Sequence, residues 1–170
     1  MNSVIKIVDH FNRWLINLLA LFFGLVTLLT IYQVFARYVL KSPLVWSEEI
    51  IRYAMIWIVL LGTVVALRKG LLVSVEIVLH LVPGKIKKVF EVLIVILNIY
   101  FFFLFIKYGM TIVEITSAQK VGALDLPVAV IYWAVPVTGV IGIINSLVVL
   151  IELLTKSVSE EDKQDGSTLI

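Results

Sequence analysis

Glu48, Glu49 and Arg52 stand at the head of "SPLVWSEEIIRYAMIWIVLLGTVVALRKG", Ser42 to Gly70, a run otherwise suited to lipid. On a helix Arg52 lies four residues after Glu48 and three after Glu49, so its guanidinium can pair with either carboxylate, acid before base. The chemistry open to such a group is ionic: meeting the positive pole of the helix dipole at that end, or pairing with groups on a neighbouring protein. Other chemistries have no residues to carry them. The chain has no cysteine, which removes thiolate nucleophiles, thiolate metal sites and disulfides. His10 and His80 fit no metal-ligand spacing. Gly-rich phosphate loops, serine elbows and paired-carboxylate clefts are missing from the sequence, so ATP hydrolysis and acyl chemistry find no support. The chain reads as a non-enzyme with no catalytic residue, metal ligand or cofactor of its own.

The element that must position the cluster is a membrane span. Of 170 residues 61% are hydrophobic and 15% charged, with a mean hydropathy of +1.09, which is more apolar surface than a soluble core hides. Four segments approach the roughly 20 apolar residues that cross a bilayer as helix: 14–36, 46–67, 89–106 and 127–151. Nothing alternates as a barrel strand would. The expectation is an all-α integral membrane protein of four transmembrane helices over 1–155. A polar cytoplasmic tail, 156–170, buries too little to order and is expected to be disordered. The first run follows Lys6 and Arg13 but is too long for a signal h-region, so it reads as an uncleaved anchor.

Basic residues set orientation. With the N-terminus cytoplasmic, that side holds Lys6, Arg13, Arg68, Lys69, Lys85, Lys87, Lys88, Lys156 and Lys163, against Arg37, Lys41, Arg52, Lys107 and Lys120 opposite, which favours both termini inside. Lys107 lies about 28 Å of helix beyond Lys88, enough to reach the opposite interface. Past it the helical pattern continues to Ser117, either projecting from the membrane or lying along it. A net charge of +2 is too small to argue for nucleic acid.

Within the second span, Ser47 suits an N-cap, and Trp46 and Tyr53 suit an aromatic belt. Below Glu48 and Arg52, one face carries Met55, Val59, Gly62 and Ala66. An interfacial cap accounts for tolerance of the charges; a protein-facing stripe, the favoured reading, accounts also for the second carboxylate. In the fourth span Pro136 should bend the helix, and Gly139, Gly142 and Ser146 form a small-residue packing face. Asn98 is the clearest deep polar residue, with Thr27, Thr30 and Thr138 at moderate depth. A hydrogen bond between helices is its expected use, ahead of ion ligation.

The run "FARYVLKSPLVWSEEIIRYAMIWIVLLGTVVALRKG" resembles the signature of the DctQ-like family, the small membrane subunits of tripartite ATP-independent periplasmic (TRAP) transporters. The matching features are Arg37, Trp46 before Glu48 and Glu49, Arg52, Trp57, Gly62, and Ala66 to Lys69 including the edge pair Arg68 and Lys69. "DLPVAVIYWAVPVTG" is similar to the family's fourth helix, with prolines at Pro127 and Pro136. The resemblance covers about Val34 to Glu152. It implies one part of a secondary importer in a bacterial inner membrane. A periplasmic binding protein captures an organic acid, such as sialic acid or a C4-dicarboxylate, and a large membrane subunit carries it inward with sodium. The small subunit packs against the large one amid membrane lipids, supports it and adds to the docking surface. Sodium is expected at the large subunit. Two other readings compete. A self-sufficient four-helix exporter needs a deep acidic residue that the first helix lacks; an assembly protein of some unrelated membrane complex is separated from the first reading only by the signature.

Overall fold

The computed structural model describes residues 2–69, 84–120, 122 and 126–166, with side chains from 5–69, 89–120, 122 and 126–155. His80 and the side chains of Lys85, Lys87, Lys88, Lys156 and Lys163 lie outside them.

Helix α1 spans Asn2–Tyr38. With no proline to interrupt it, it begins well before the expected start and is about 55 Å long at 1.5 Å per residue. Its exit is a tight reversal. Lys41 takes a left-handed φ of 50°, uncommon without glycine or asparagine, and the Ser42 N–H bonds the Ala36 carbonyl at 3.1 Å. Helix α2, Val45–Arg68, then runs back. Its N-cap residue is Leu44, which gives no side-chain cap. Ser47 instead sits inside the first turn, fully buried, and its hydroxyl donates backwards to the Leu44 carbonyl at 2.7 Å. That contact corrects the reading of Ser47 as cap: a buried hydroxyl needs an acceptor for its own hydrogen, and the nearest carbonyl supplies it.

Helix α3, Gly84–Thr116, is uninterrupted. Past Lys107 it still packs on the other helices, with Val113 buried and Gly109 against Pro136, so it does not turn away to lie along a surface. The connection back is pinned where the Val128 N–H bonds the Gln119 carbonyl at 2.9 Å. Short helix α4, Ala129–Tyr132, leads through Trp133 into α5, Ala134–Gly166. The interruption falls at Trp133, three residues before Pro136, because the proline has no N–H to offer the carbonyl four residues back. α5 continues into the segment for which low burial argues disorder. Its glutamate, lysine and glutamine residues are good helix formers, a property that burial does not measure.

Among the described residues four helices are long and apolar enough to cross a membrane: Ile5–Tyr38, Val45–Arg68, Val89–Thr116 and Ala129–Thr155. The order of packing is α1, α2, α5, α3, with α5 the most enclosed. Among the described residues α3 touches neither α1 nor α2, so the helices form a row rather than a closed ring. Leu15 and Leu19 of α1 meet Leu61 and Val65 of α2 in the apolar core, with Val137 and Ile141 of α5 against them. On the far side, α5 and α3 approach closely at their glycines. A Cβ built on Gly142 would lie 2.5 Å from the Phe102 ring, and one on Gly139 would lie 2.9 Å from the Phe102 carbonyl oxygen.

Candidate functional site

Two polar groups stand at opposite ends of the α1–α2 pair. At the end where α1 begins and α2 finishes, the Arg68 guanidinium forms a bidentate pair with Glu152 of α5, at 2.7 and 2.8 Å. It also reaches Asp9 of α1 at 2.9 Å. The Arg68 side chain is only 10% exposed; Asp9 and Glu152 are partly open. Such fork-to-fork pairing is the strong form of the ionic contact. The Nε of Arg68 finds no acceptor among the described residues.

One turn further in, two amides close on each other. Asn12 Nδ2 donates to Asn145 Oδ1 at 2.7 Å, and Asn145 Nδ2 donates to Asn12 Oδ1 at 3.0 Å. The remaining hydrogens go to backbone: Asn12 to the Val8 carbonyl at 2.8 Å, Asn145 to the Val64 carbonyl at 3.2 Å. Asn145 is 1% exposed. Unmade bonds are costly at such a depth, and here all four amide hydrogens of the pair have acceptors. Five side chains from three helices thus make one clasp.

The sequence pattern does not single these residues out. Asn98, expected to supply the bond between helices, is half-buried on α3, and Asn12 with Asn145 supplies that bond instead. Arg68, read as an edge charge, is the centre of the clasp. Lys69 beside it is exposed, its N–H bonded to the Val65 carbonyl at 3.2 Å.

At the other end, Glu48 sits between two arginines. Arg37 of α1 lies 3.3 Å from one oxygen and Arg52 lies 3.5 Å from the other. All three side chains are at least half exposed, so the cluster ties α1 to α2 weakly. Trp46 is exposed beside it, and Glu49 is half-buried. Along the stripe below, Met55 and Val59 are exposed while Gly62 and Ala66 are part-covered. Nothing lies within 4 Å of a Cβ built on Gly62. Among the described residues, therefore, no helix covers Met55 or Val59 or approaches Gly62 closely. Gly139, Gly142 and the buried Pro136 are, by contrast, filled from inside by α3. No cluster of metal-ligand type occurs among the described residues.

These features define a multi-pass α-helical membrane protein in which polar side chains of α1, α2 and α5 bond to one another at one end of the bundle. Over residues 26–156 it matches the family described as "Tripartite ATP-independent periplasmic transporters, DctQ component", and it belongs to that family, a transporter component and not an enzyme. The chain is 33% identical over 106 residues to the "Sialic acid TRAP transporter permease protein SiaT" of Haemophilus influenzae, covering 62% of this chain and 17% of that protein. It is 27% identical over 78 residues to the "C4-dicarboxylate TRAP transporter small permease protein DctQ" of Vibrio cholerae, covering 46% of this chain and 34% of that one. The chain thus spans about a sixth and a third of the lengths of these curated relatives.

Proposed function

We propose that this chain is the small membrane subunit of a sodium-coupled TRAP importer of an organic acid in a bacterial inner membrane, with both termini cytoplasmic. Its role is to pack against and hold a large membrane subunit, which carries substrate and sodium, and to add to the surface on which the periplasmic binding protein docks. The names of the two relatives, sialic acid for one and C4-dicarboxylate for the other, support a carboxylate cargo.

The observation that carries the reading is the contrast between interior and exterior. Asp9, Arg68 and Glu152 answer one another, whereas Met55 and Val59 are exposed and no described neighbour lies close to the Gly62 position. A path for an anion or ion needs polar groups that the substrate can use near midplane; a supporting subunit needs an outer face that a second helix can approach closely. Co-purification tests it. A tagged large subunit should retain the native chain, and Gly62→Leu should reduce retention about fivefold or more, since overpacking a helix seam costs about 1–3 kcal/mol. Undiminished retention would remove the stripe from the interface.

A further inference from the structure

In a bilayer, apolar helices have little reason to prefer one register over another, because lipid tails solvate a leucine as well as a neighbouring helix does. α1 shows the problem sharply. It is 37 residues long, yet its buried apolar side chains in the described region are only Leu15, Leu19, Val26 and Ala36. Its far end is tied to α2 by an exposed ion pair and a six-residue connection, 39–44. Against that smooth background five polar side chains and the Val64 carbonyl converge on one end. Asp9 and Asn12 are one turn apart on α1, Val64 and Arg68 one turn apart on α2, and Asn145 and Glu152 two turns apart on α5, so all three helices bring a matching pair to the same seam.

We propose that Asp9, Arg68 and Glu152 with Asn12 and Asn145 form a register clasp, which sets the depth and angle of α1 against α2 and α5 rather than supplying net stability. A slip of α1 by one turn, about 5.4 Å, takes Asp9 out of reach of Arg68 and separates both halves of the amide pair, leaving buried polar groups unpaired. Apolar contacts such as Leu15 with Val65 can be replaced after such a slip; the clasp cannot. A buried ion pair is often matched or exceeded in stability by apolar residues of similar size, and its best-attested use is in fixing register. Its consequence for the transporter, a fixed outer surface of α1 and α2 offered to the large subunit, rests on the proposed function. The clasp itself does not.

The native chain has no cysteine, so spin labels can be placed at two chosen sites. Leu28 on α1 and Leu147 on α5 are both exposed and outside the clasp, and they lie far apart along the helix axes, about 24 Å of α1 separating Leu28 from Asn12, so a slip of α1 changes their separation nearly in full. Leu28→Cys with Leu147→Cys, labelled in the otherwise native chain alone, should give a single narrow distance distribution by pulsed electron resonance. Replacing the clasp without stranding a charge, by Asp9→Leu, Arg68→Met, Glu152→Leu, Asn12→Leu and Asn145→Leu together, should leave the helix content and the monomeric elution unchanged. It should also broaden the distribution or add a population displaced by roughly one helical turn, about 5 Å. A folded variant with the native distribution would overturn the proposal. If the fivefold variant fails to fold, Asn12→Leu with Asn145→Leu decides: a broadened distribution upholds the clasp, and an unchanged one or renewed loss of folding overturns it. Because the measurement uses this chain alone, its failure is separable from failure of the transporter reading, which co-purification tests.

Discussion

Arg68 and Arg37 carry the same charge at opposite ends of the α1–α2 pair, and their surroundings give them different weight. Arg68 is nearly enclosed between two carboxylates; Arg37 is half exposed at 3.3 Å from Glu48. Removing Arg68 alone strands Glu152 and Asp9 together. Arg68→Met should therefore cost about 3 kcal/mol, the lower end of the range for broken buried pairs because both carboxylates retain some water. Arg37→Met should cost at most about 1 kcal/mol and lose its effect in high salt. Denaturant unfolding of the purified chain in micelles at two salt concentrations checks both. Asn145→Leu should cost about 1–3 kcal/mol by leaving Asn12 and the Val64 carbonyl short of a partner. Little of this could be seen in the sequence. Asp9 and Asn12 fall before the apolar stretch that marks the first span, Asn145 sits beside a serine that fits the small-residue pattern, and Glu152 stands near a helix end. The available signal was spacing: polar residues three apart on α1 and seven apart on α5 each share a face, but no single sequence says that those faces meet or that Arg68 of α2 joins them.

At the scale of elements, the glycines divide into two kinds that look alike in sequence. Gly142 receives the Phe102 ring of α3, while Gly62 faces open space. Gly142→Leu should destabilise the isolated chain by about 1–3 kcal/mol or shift α3 away from α5. Gly62→Leu should leave its unfolding within about 0.5 kcal/mol of native, as surface changes do. Parallel unfolding of the two variants in the same detergent distinguishes them. The four spans themselves were plain from hydropathy, because length and apolarity are what a bilayer demands. Their ends were not. Hydropathy stops where charges begin, whereas a helix stops where its backbone bonding stops, so α1 begins early; the run of α3 past Lys107, which ends at Thr116, was legible from its helical pattern rather than from hydropathy. The order of packing was also out of reach, since the contact of α2 with α5 joins segments far apart in the chain.

For the whole molecule, the row α1, α2, α5, α3 leaves long apolar faces, with Leu21, Phe22, Leu25 and Leu28 of α1 and Leu97, Tyr100, Phe101 and Phe103 of α3 exposed. Much of that surface suits lipid. The clasp gathers Asp9 and Glu152, near the two ends of the chain, at one end of the molecule. With the lysine and arginine asymmetry this leads to a topology prediction: reporter fusions after Lys156 should read cytoplasmic, and fusions between Lys41 and Pro43 should read periplasmic. The reverse pattern would move the Glu48 cluster away from any binding-protein dock. The central claim, that the chain supports transport without performing it, is tested most directly by reconstitution in liposomes under an inward sodium gradient. Alone, the chain should take up no organic acid; with the large membrane subunit and the binding protein added, uptake should appear. Robust sodium-driven uptake by this chain on its own would contradict the account.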